Sequence, residues 1–312
     1  MLNKFKMFKE KAIRTFFINR TKNIYKKDAL SNFSDDSNVI VLSMLQEKDV
    51  QMFCLAIYSF SKYIKINKVV IVCDPTLSLK SRDILKNKIN KIDFFEAKDY
   101  QCNEIPKGGT WERLHAITTL VDTYYVIQMD ADILTIKKPQ EVIECIQQNK
   151  SFILGANEAS EHYKTQKIEA SHKVSTLAQK WVKEWKENKS IIKIQPRAEA
   201  EMGIAAEYGF PLYTRGCSGF AGFAKGSTTP EKLYKLSSIF EHKLGKHWSE
   251  WGSEQFSSNL LLSNVKNVIV LPIDKYNSAD RYNHKSVLLH FIGFVRFSNL
   301  LYLQLAQRII KR

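Results

Sequence analysis

The stretch Tyr124-Tyr125-Val126-Ile127-Gln128-Met129-Asp130-Ala131-Asp132-Ile133-Leu134-Thr135-Ile136-Lys137-Lys138-Pro139 decides how this chain is read. Its first six residues form a run of strand length that is apolar but for Gln128, and two acids spaced two apart follow directly. Ligands of open α/β sheets bind beyond the carboxyl ends of strands, so a site is expected here. Two like charges held together are costly unless a cation neutralises them, and paired carboxylates suit a hard divalent ion such as Mg²⁺. A DxD triplet also recurs by chance on surface turns. Its weight here comes from the strand before it and the apolar run Ile133–Ile136 after it.

Outward from this segment, strands alternate with helices. Val39–Leu42, Lys68–Cys73 and Ile92–Phe95 read as strands, while 50–63, 77–89 and 111–121 have helical periodicity. Gly108-Gly109 breaks the chain before the last of these helices, with Thr110 as the expected N-cap and Glu112 close behind. Downstream, residues 157–210 are irregular apart from a strong helix over 171–187. A strand at 219–224, helices over 230–243 and 253–262, and short strands at 268–271 and 287–291 follow. Buried apolar strands separated by helices predict an α/β fold with a mixed, mainly parallel sheet flanked by helices. There is no internal repeat and no low-complexity linker. The expected organisation is a basic N-terminal segment over 1–37, one catalytic domain over 38–297 and a basic helix over 298–312.

The 312 residues are 44% hydrophobic and 25% charged, the balance of a globular chain rather than a disordered one. No run approaches the ~18 apolar residues of a membrane span. The opening MLNKFKMFKEKAIRTFF has no apolar signal core, which places the expected location in the cytoplasm. Five scattered cysteines without a CxxC pair argue against a disulfide framework and against a zinc knuckle.

The net charge of +15 is concentrated at the two ends. Residues 1–30 carry nine Lys/Arg against Glu10 and Asp28, and residues 296–312 carry four with no acid. Both ends also have apolar periodicity: Phe5, Phe8, Ala12 and Phe16 in one, Leu301, Leu305 and Ile309 in the other. Two readings stand side by side. Basic amphipathic helices anchor a protein on an anionic membrane surface, or they pack on the domain with their lysines solvated.

The segment YYVIQMDADILTIKKP resembles the core of GT-A fold glycosyltransferases, nearest to family 8, the retaining transferases that include lipopolysaccharide galactosyl- and glucosyltransferases. Three further segments carry the likeness in the same order. TWERLHAI resembles the helix bearing a donor-contacting arginine, here Arg113. RGCSGFAGF resembles the family's N-S-G-x-x-x-F strand, with Cys217-Ser218-Gly219 in place of Asn-Ser-Gly. HFIGFVRF resembles the H-x-x-G-x-x-K-P-W signature: His290 and Gly293 match, Arg296 replaces Lys, and the Pro-Trp is missing. The likeness spans about residues 38–297.

The resemblance implies transfer of a hexose from a nucleotide-sugar, UDP-linked, to a glycan or lipid-linked glycan acceptor, with retention. The glycan would be a cell-surface lipopolysaccharide, lipooligosaccharide or capsule, made at the inner face of the cytoplasmic membrane. By the same resemblance Asp130, Asp132 and His290 hold the metal, and the imidazole favours Mn²⁺ over Mg²⁺. A lone histidine is otherwise a structural residue as readily as a ligand. Gly293 would allow close approach of the backbone to the diphosphate and Arg296 would clamp it, unless that arginine belongs to the basic C-terminal patch. Ser43 and Met44 close the first strand, where the family begins its nucleotide pocket, and Ala131 lies within the DxD turn.

Ser218 and Arg113 are expected on the donor. Asp74 ends the second strand, as a ribose or uracil ligand or as a turn residue before Pro75. Glu254 and Gln255 occupy the place of the family's acidic-Gln pair. They would orient the acceptor or stabilise an oxocarbenium-like centre, and in an inverting enzyme Glu254 would be the general base. Ser253 ahead of them reads as an ordinary N-cap. Trp111, Trp248 and Trp251 offer faces for a sugar or belong to the core.

Two other classes compete. A sugar nucleotidyltransferase shares the topology but needs a glycine-rich phosphate loop after the first strand, where this chain has Ser43-Met44-Leu45-Gln46-Glu47-Lys48. A basic nucleic-acid- or membrane-binding protein without activity would use the charge alone, although no nucleic-acid motif is present and the charge lies at the ends. An inactive relative is a further reading, prompted by Cys217 and the missing Pro-Trp.

Overall fold

A computed structural model describes residues 2–155 and 167–311; the side chains of residues 2–6 and of Phe294 lie outside that description. Phe5, expected on the apolar stripe of the first helix, therefore falls outside the described side chains, as does the part of the expected irregular region at 157–166. The chain has a mixed α/β fold divided into two compact units, one of residues 1–95, 129–143 and 274–312, the other of residues 96–128 and 144–273.

In the first unit the strands Val39–Leu45 and Lys68–Cys73 run parallel, Ile40 opposite Lys68 and Leu45 opposite Cys73, and Ile92–Glu96 follows in the sheet order. β-branched runs buried on both faces suit such a sheet. The helix Val50–Ser61 buries ten of its twelve residues, because it is apolar nearly all round. A second, three-stranded sheet has the order Tyr276–Ser278, Leu288–His290, Ile133–Thr135. Its last pair is antiparallel, with His290 opposite Ile133. That register decides the position of the candidate metal site.

The terminal helices Leu2–Thr21 and Leu301–Lys311 pack together in this unit. Phe17 is fully buried, its ring 4.4 Å from that of Tyr302 and 5.5 Å from that of Phe297. Leu305 and Ile309 are buried as their spacing predicts. The N-terminal helix docks through Phe17 and Thr21, a stripe offset by one residue from Phe8, Ala12 and Phe16, which are left exposed. Among the described residues no helix is long and apolar enough to cross a membrane.

In the second unit the sheet order is Ile269–Val270, Phe152–Gly155, Gly216–Phe223, Tyr125–Met129. Phe152–Gly155 lies parallel to Ile269–Val270 and antiparallel to Gly216–Phe223, with an irregularity between Ile153 and Leu154. A Cβ at Gly222 would fall 2.2 Å from the buried Phe152 ring and 2.7 Å from the Tyr125 hydroxyl, which donates to Lys150 O at 2.6 Å. Gly222→Ala is therefore expected to cost about 1–3 kcal/mol of stability, read by chemical denaturation, because neither ring has room to yield.

The expected helices are present as Trp111–Leu120, Ser171–Glu187, Pro230–Leu244 and Ser253–Ser263. Thr229 caps the third, accepting from Lys232 N. Thr110 does not cap the first. It sits with φ 76° after two left-handed glycines and makes no side-chain cap bond. Gly252 rather than Ser253 occupies the cap position of the last helix.

Candidate active site

The buried strand Tyr125–Met129 ends at the turn Asp130-Ala131-Asp132, closed by Ile133 N donating to Asp130 O at 3.3 Å. Phe291 N donates to Asp132 O at 3.0 Å, which ties this turn to the residue after His290. Sheet register therefore brings His290 against both acids. Its Nε2 lies 3.2 Å from Asp132 Oδ1 and 3.6 Å from Asp130 Oδ2. Asp130 and Ala131 are half-buried, while Asp132 and His290 are buried.

One ligand atom from each of Asp130, Asp132 and His290 falls within 4.8 Å of the others. Ligands sharing an ion at about 2.1 Å lie about 3–4 Å apart, so small side-chain adjustments complete the set. Two carboxylates and an imidazole are a donor set for a divalent cation. The residues present fit such an ion.

Arg296, at the end of the short helix Gly293–Arg296, adds a cation. Its Nε donates to Asp132 Oδ2 at 3.1 Å, its Nη2 reaches the same oxygen, and its Nη1 lies 3.6 Å from Asp49 Oδ1. Burial pushes the Asp132 carboxyl up, but His290 and Arg296 together outweigh it and hold it below the usual carboxylate range. Gly293 is exposed, with nothing within 4 Å of where a Cβ would stand.

The second unit carries its own cluster around Glu254. The carboxylate is 2% exposed, and Arg113, itself 3% exposed, approaches its Oε1 at 3.3 Å. Oε2 accepts from Thr110 Oγ1 at 2.9 Å and from Ser218 Oγ at 3.2 Å. Arg113 also donates to Ser218 O at 3.4 Å, and Gln128 donates to the same carbonyl. A carboxylate with both oxygens engaged and a guanidinium beside it is a fixed anion; as a general base it would first have to surrender those bonds.

Gln255 next to it is half-buried. Its Oε1 accepts from Ser218 N at 3.3 Å and its Nε2 donates to Gln195 Oε1 at 2.9 Å, which leaves one lone pair and one N–H for other partners.

The nucleotide-side residues are placed less distinctively. Ser43 is fully buried in its strand, its hydroxyl without a hydrogen bond among the described residues, and Met44 is half-buried. Asp74 accepts from Thr76 N at 2.9 Å and from Thr76 Oγ1 at 2.6 Å, which is the turn reading of that residue. Trp111 and Trp248 belong to the core, their indoles donating to Ser253 Oγ and Ser237 Oγ, whereas Trp251 is 80% exposed.

Several participants went unread in the sequence. Gln128 had a signal, a polar residue inside a fully buried strand. Thr110 was read as a cap. Asp49 and Gln195 had no signal, because each is one polar residue among many beside a helix start.

No family model matches the chain, and no curated protein sequence does. Among solved structures it is similar to the apo form of the bifunctional glycosyltransferase WbbM, at 12% identity and TM-score 0.51, over 83% of this chain and 46% of that one. This chain thus spans about half of the WbbM structure. It is also similar to the mannosyltransferase Ktr4p from S. cerevisiae, at 12% identity and TM-score 0.43 over 89% and 86% of the two chains. Galactosyltransferase LgtC in complex with donor and acceptor sugar analogues follows at 13% and 0.43, over 86% and 95%. The likeness to WbbM shows the fold, the GT-A glycosyltransferase fold that the sequence resembles.

Proposed function

We propose that this chain is a metal-dependent glycosyltransferase that moves a hexose from a nucleotide-sugar, UDP-linked, to a glycan acceptor with retention. The observation that carries the reading is the Asp130, Asp132 and His290 cluster at a strand end of a GT-A fold. A divalent cation held there, Mn²⁺ by its donor set, would stabilise the charge that develops on a departing nucleoside diphosphate. Arg296 is the cation next to that cluster, suited to bidentate contact with phosphate oxygens. Gly293 leaves the backbone open to the diphosphate. Ser43, Met44 and Ala131 are assigned to the nucleotide side, with Asp74 at its edge.

On the sugar side, Glu254 holds Arg113, Ser218 and Thr110 in place. Gln255 keeps polar capacity for the reacting sugar. Incubation with a panel of UDP- and GDP-sugars, with and without Mn²⁺, tests the assignment. Metal-dependent release of nucleoside diphosphate from one donor is expected, and no release from any donor would remove the function while leaving the fold. The anomer of the transferred sugar reads retention.

The acceptor is assigned to a cell-surface glycan such as lipopolysaccharide, lipooligosaccharide or capsule, lipid-linked at the inner face of the cytoplasmic membrane. Its support is the N-terminal helix, which leaves Met7 68% and Phe8 73% exposed among lysines. Burying one phenylalanine is worth about 1.5–3 kcal/mol, so Phe8→Ala is expected to weaken binding to vesicles of anionic phospholipid by about tenfold. Absence of wild-type co-sedimentation at physiological salt would sink the membrane assignment.

A further inference from the structure

Arg296 stands between two carboxylates that it satisfies unequally. Toward Asp132 it makes hydrogen bonds from Nε and Nη2 to one oxygen, Oδ2. Toward Asp49 its Nη1 stops 3.6 Å short of Oδ1, beyond hydrogen-bond range. Asp49 Oδ1 is buried and makes no hydrogen bond among the described residues, and the same is true of the Tyr302 hydroxyl. Tyr302 is held by stacking on Phe291, ring centroids 4.0 Å apart, and its hydroxyl lies in the field of Asp132, Arg296 and Asp49.

A buried polar atom left unpaired costs about 1–3 kcal/mol, so Asp49 Oδ1, unpaired 3.6 Å from the guanidinium, describes a place prepared for it and not fully occupied. Asp49 precedes the helix Val50–Ser61, whose buried sides fix its backbone. The guanidinium is tethered through Gly293–Arg296, and Arg296 Nε also reaches Phe291 O at 3.3 Å.

We propose that Asp49 is a positioning residue: it receives Arg296 when Asp132 turns its charge to a divalent cation. The inference rests on the metal-site reading of Asp130, Asp132 and His290. Hydrogen-bonded to Asp132 Oδ2, Arg296 neutralises that carboxylate and keeps the carboxylate pair from repelling. With Asp132 engaged elsewhere, Arg296 needs another anion within a short reach, and Asp49 is that anion. Arg296 thereby stays beside the site. An arginine where the resembled motif has lysine suits this arrangement, since its planar fork spans two carboxylates at once.

The test is Mn²⁺ affinity of the full chain, by electron paramagnetic resonance without any nucleotide, in a double-mutant cycle of Asp49→Asn and Arg296→Gln. Arg296→Gln is expected to tighten Mn²⁺ about tenfold, because it removes the cation competing for Asp132. Asp49→Asn is expected to weaken it about tenfold with Arg296 present, and by less than about twofold in the Arg296→Gln background. Equal weakening in both backgrounds would show Asp49 to be only a nearby charge, and no weakening in either would remove its role; each overturns the proposal. Asp49→Ala, with thermal melting of every variant, separates a failure to fold from a change in affinity. Wild-type protein that binds no Mn²⁺ would overturn the metal-site reading itself, and the wild-type isotherm alone shows that outcome.

Discussion

Arg113→Met is expected to cost about 3–5 kcal/mol of stability, because it strands the Glu254 carboxylate without its cation in a buried setting. Glu254 is 2% exposed and Arg113 3%, so water cannot replace the lost partner. The fall in melting temperature should be on the order of 10 °C. Replacing both residues, as Arg113→Met with Glu254→Leu, should cost less than the sum of the single changes, since neither charge is then left alone. A loss below about 1 kcal/mol for Arg113→Met would show that Thr110 and Ser218 suffice to hold the carboxylate. The measurement is thermal or chemical unfolding and needs no substrate, which makes it independent of the functional proposal.

The second large effect concerns turnover. Asp132→Asn keeps the shape of the side chain but removes the charge that faces both His290 and Arg296. On the proposed reading, kcat/KM for donor cleavage should fall about 10³-fold, equivalent to about 4 kcal/mol of transition-state stabilisation. The fold should survive, because the turn is held by backbone bonds from Ile133 and Phe291 rather than by the carboxylate. A fall of less than tenfold would mean that Asp132 is chiefly the partner of Arg296.

Much of the architecture was legible because its elements are strong in composition. Val39–Leu42 and Val69–Cys73 are unbroken apolar runs, and the periodicity of Ser171–Glu187 matches the bounds the structure shows. The helix Ile194–Glu201 was not read, since it is short, contains Pro196 and has little amphipathic contrast. The strand Phe152–Gly155 has no legible signature, because four residues give too little pattern to separate strand from helix. The N-terminal helix shows the limit of periodicity: Phe8, Ala12 and Phe16 make a plausible stripe, yet Phe17, one residue round, is the side chain the core takes.

At the site, the Asp130 and Asp132 pair was readable from its place after a strand, and His290 from its place after Ser286-Val287-Leu288-Leu289. Their proximity depends on pairing between Ile133–Thr135 and Leu288–His290, which no local pattern encodes. The engagement of Glu254 by Arg113, Thr110 and Ser218 is likewise a product of tertiary packing. Residues 141 and 36 positions away in the sequence have no local signature of their contact with it. Thr110 illustrates the same point, because its left-handed backbone follows two glycines and turns a residue read as a cap toward Glu254.

If Asp130, Asp132 and His290 hold a cation through which a nucleoside diphosphate is bound, nucleotide affinity depends on that ion. Calorimetric titration of UDP into wild-type protein and into the Asp130→Ala, Asp132→Ala double variant, each with and without Mn²⁺, tests it most directly. Wild-type binding at least about tenfold tighter with Mn²⁺ is expected, with no dependence on Mn²⁺ in the variant. Equal affinity with and without the ion in wild-type protein, unchanged in the variant, would contradict it.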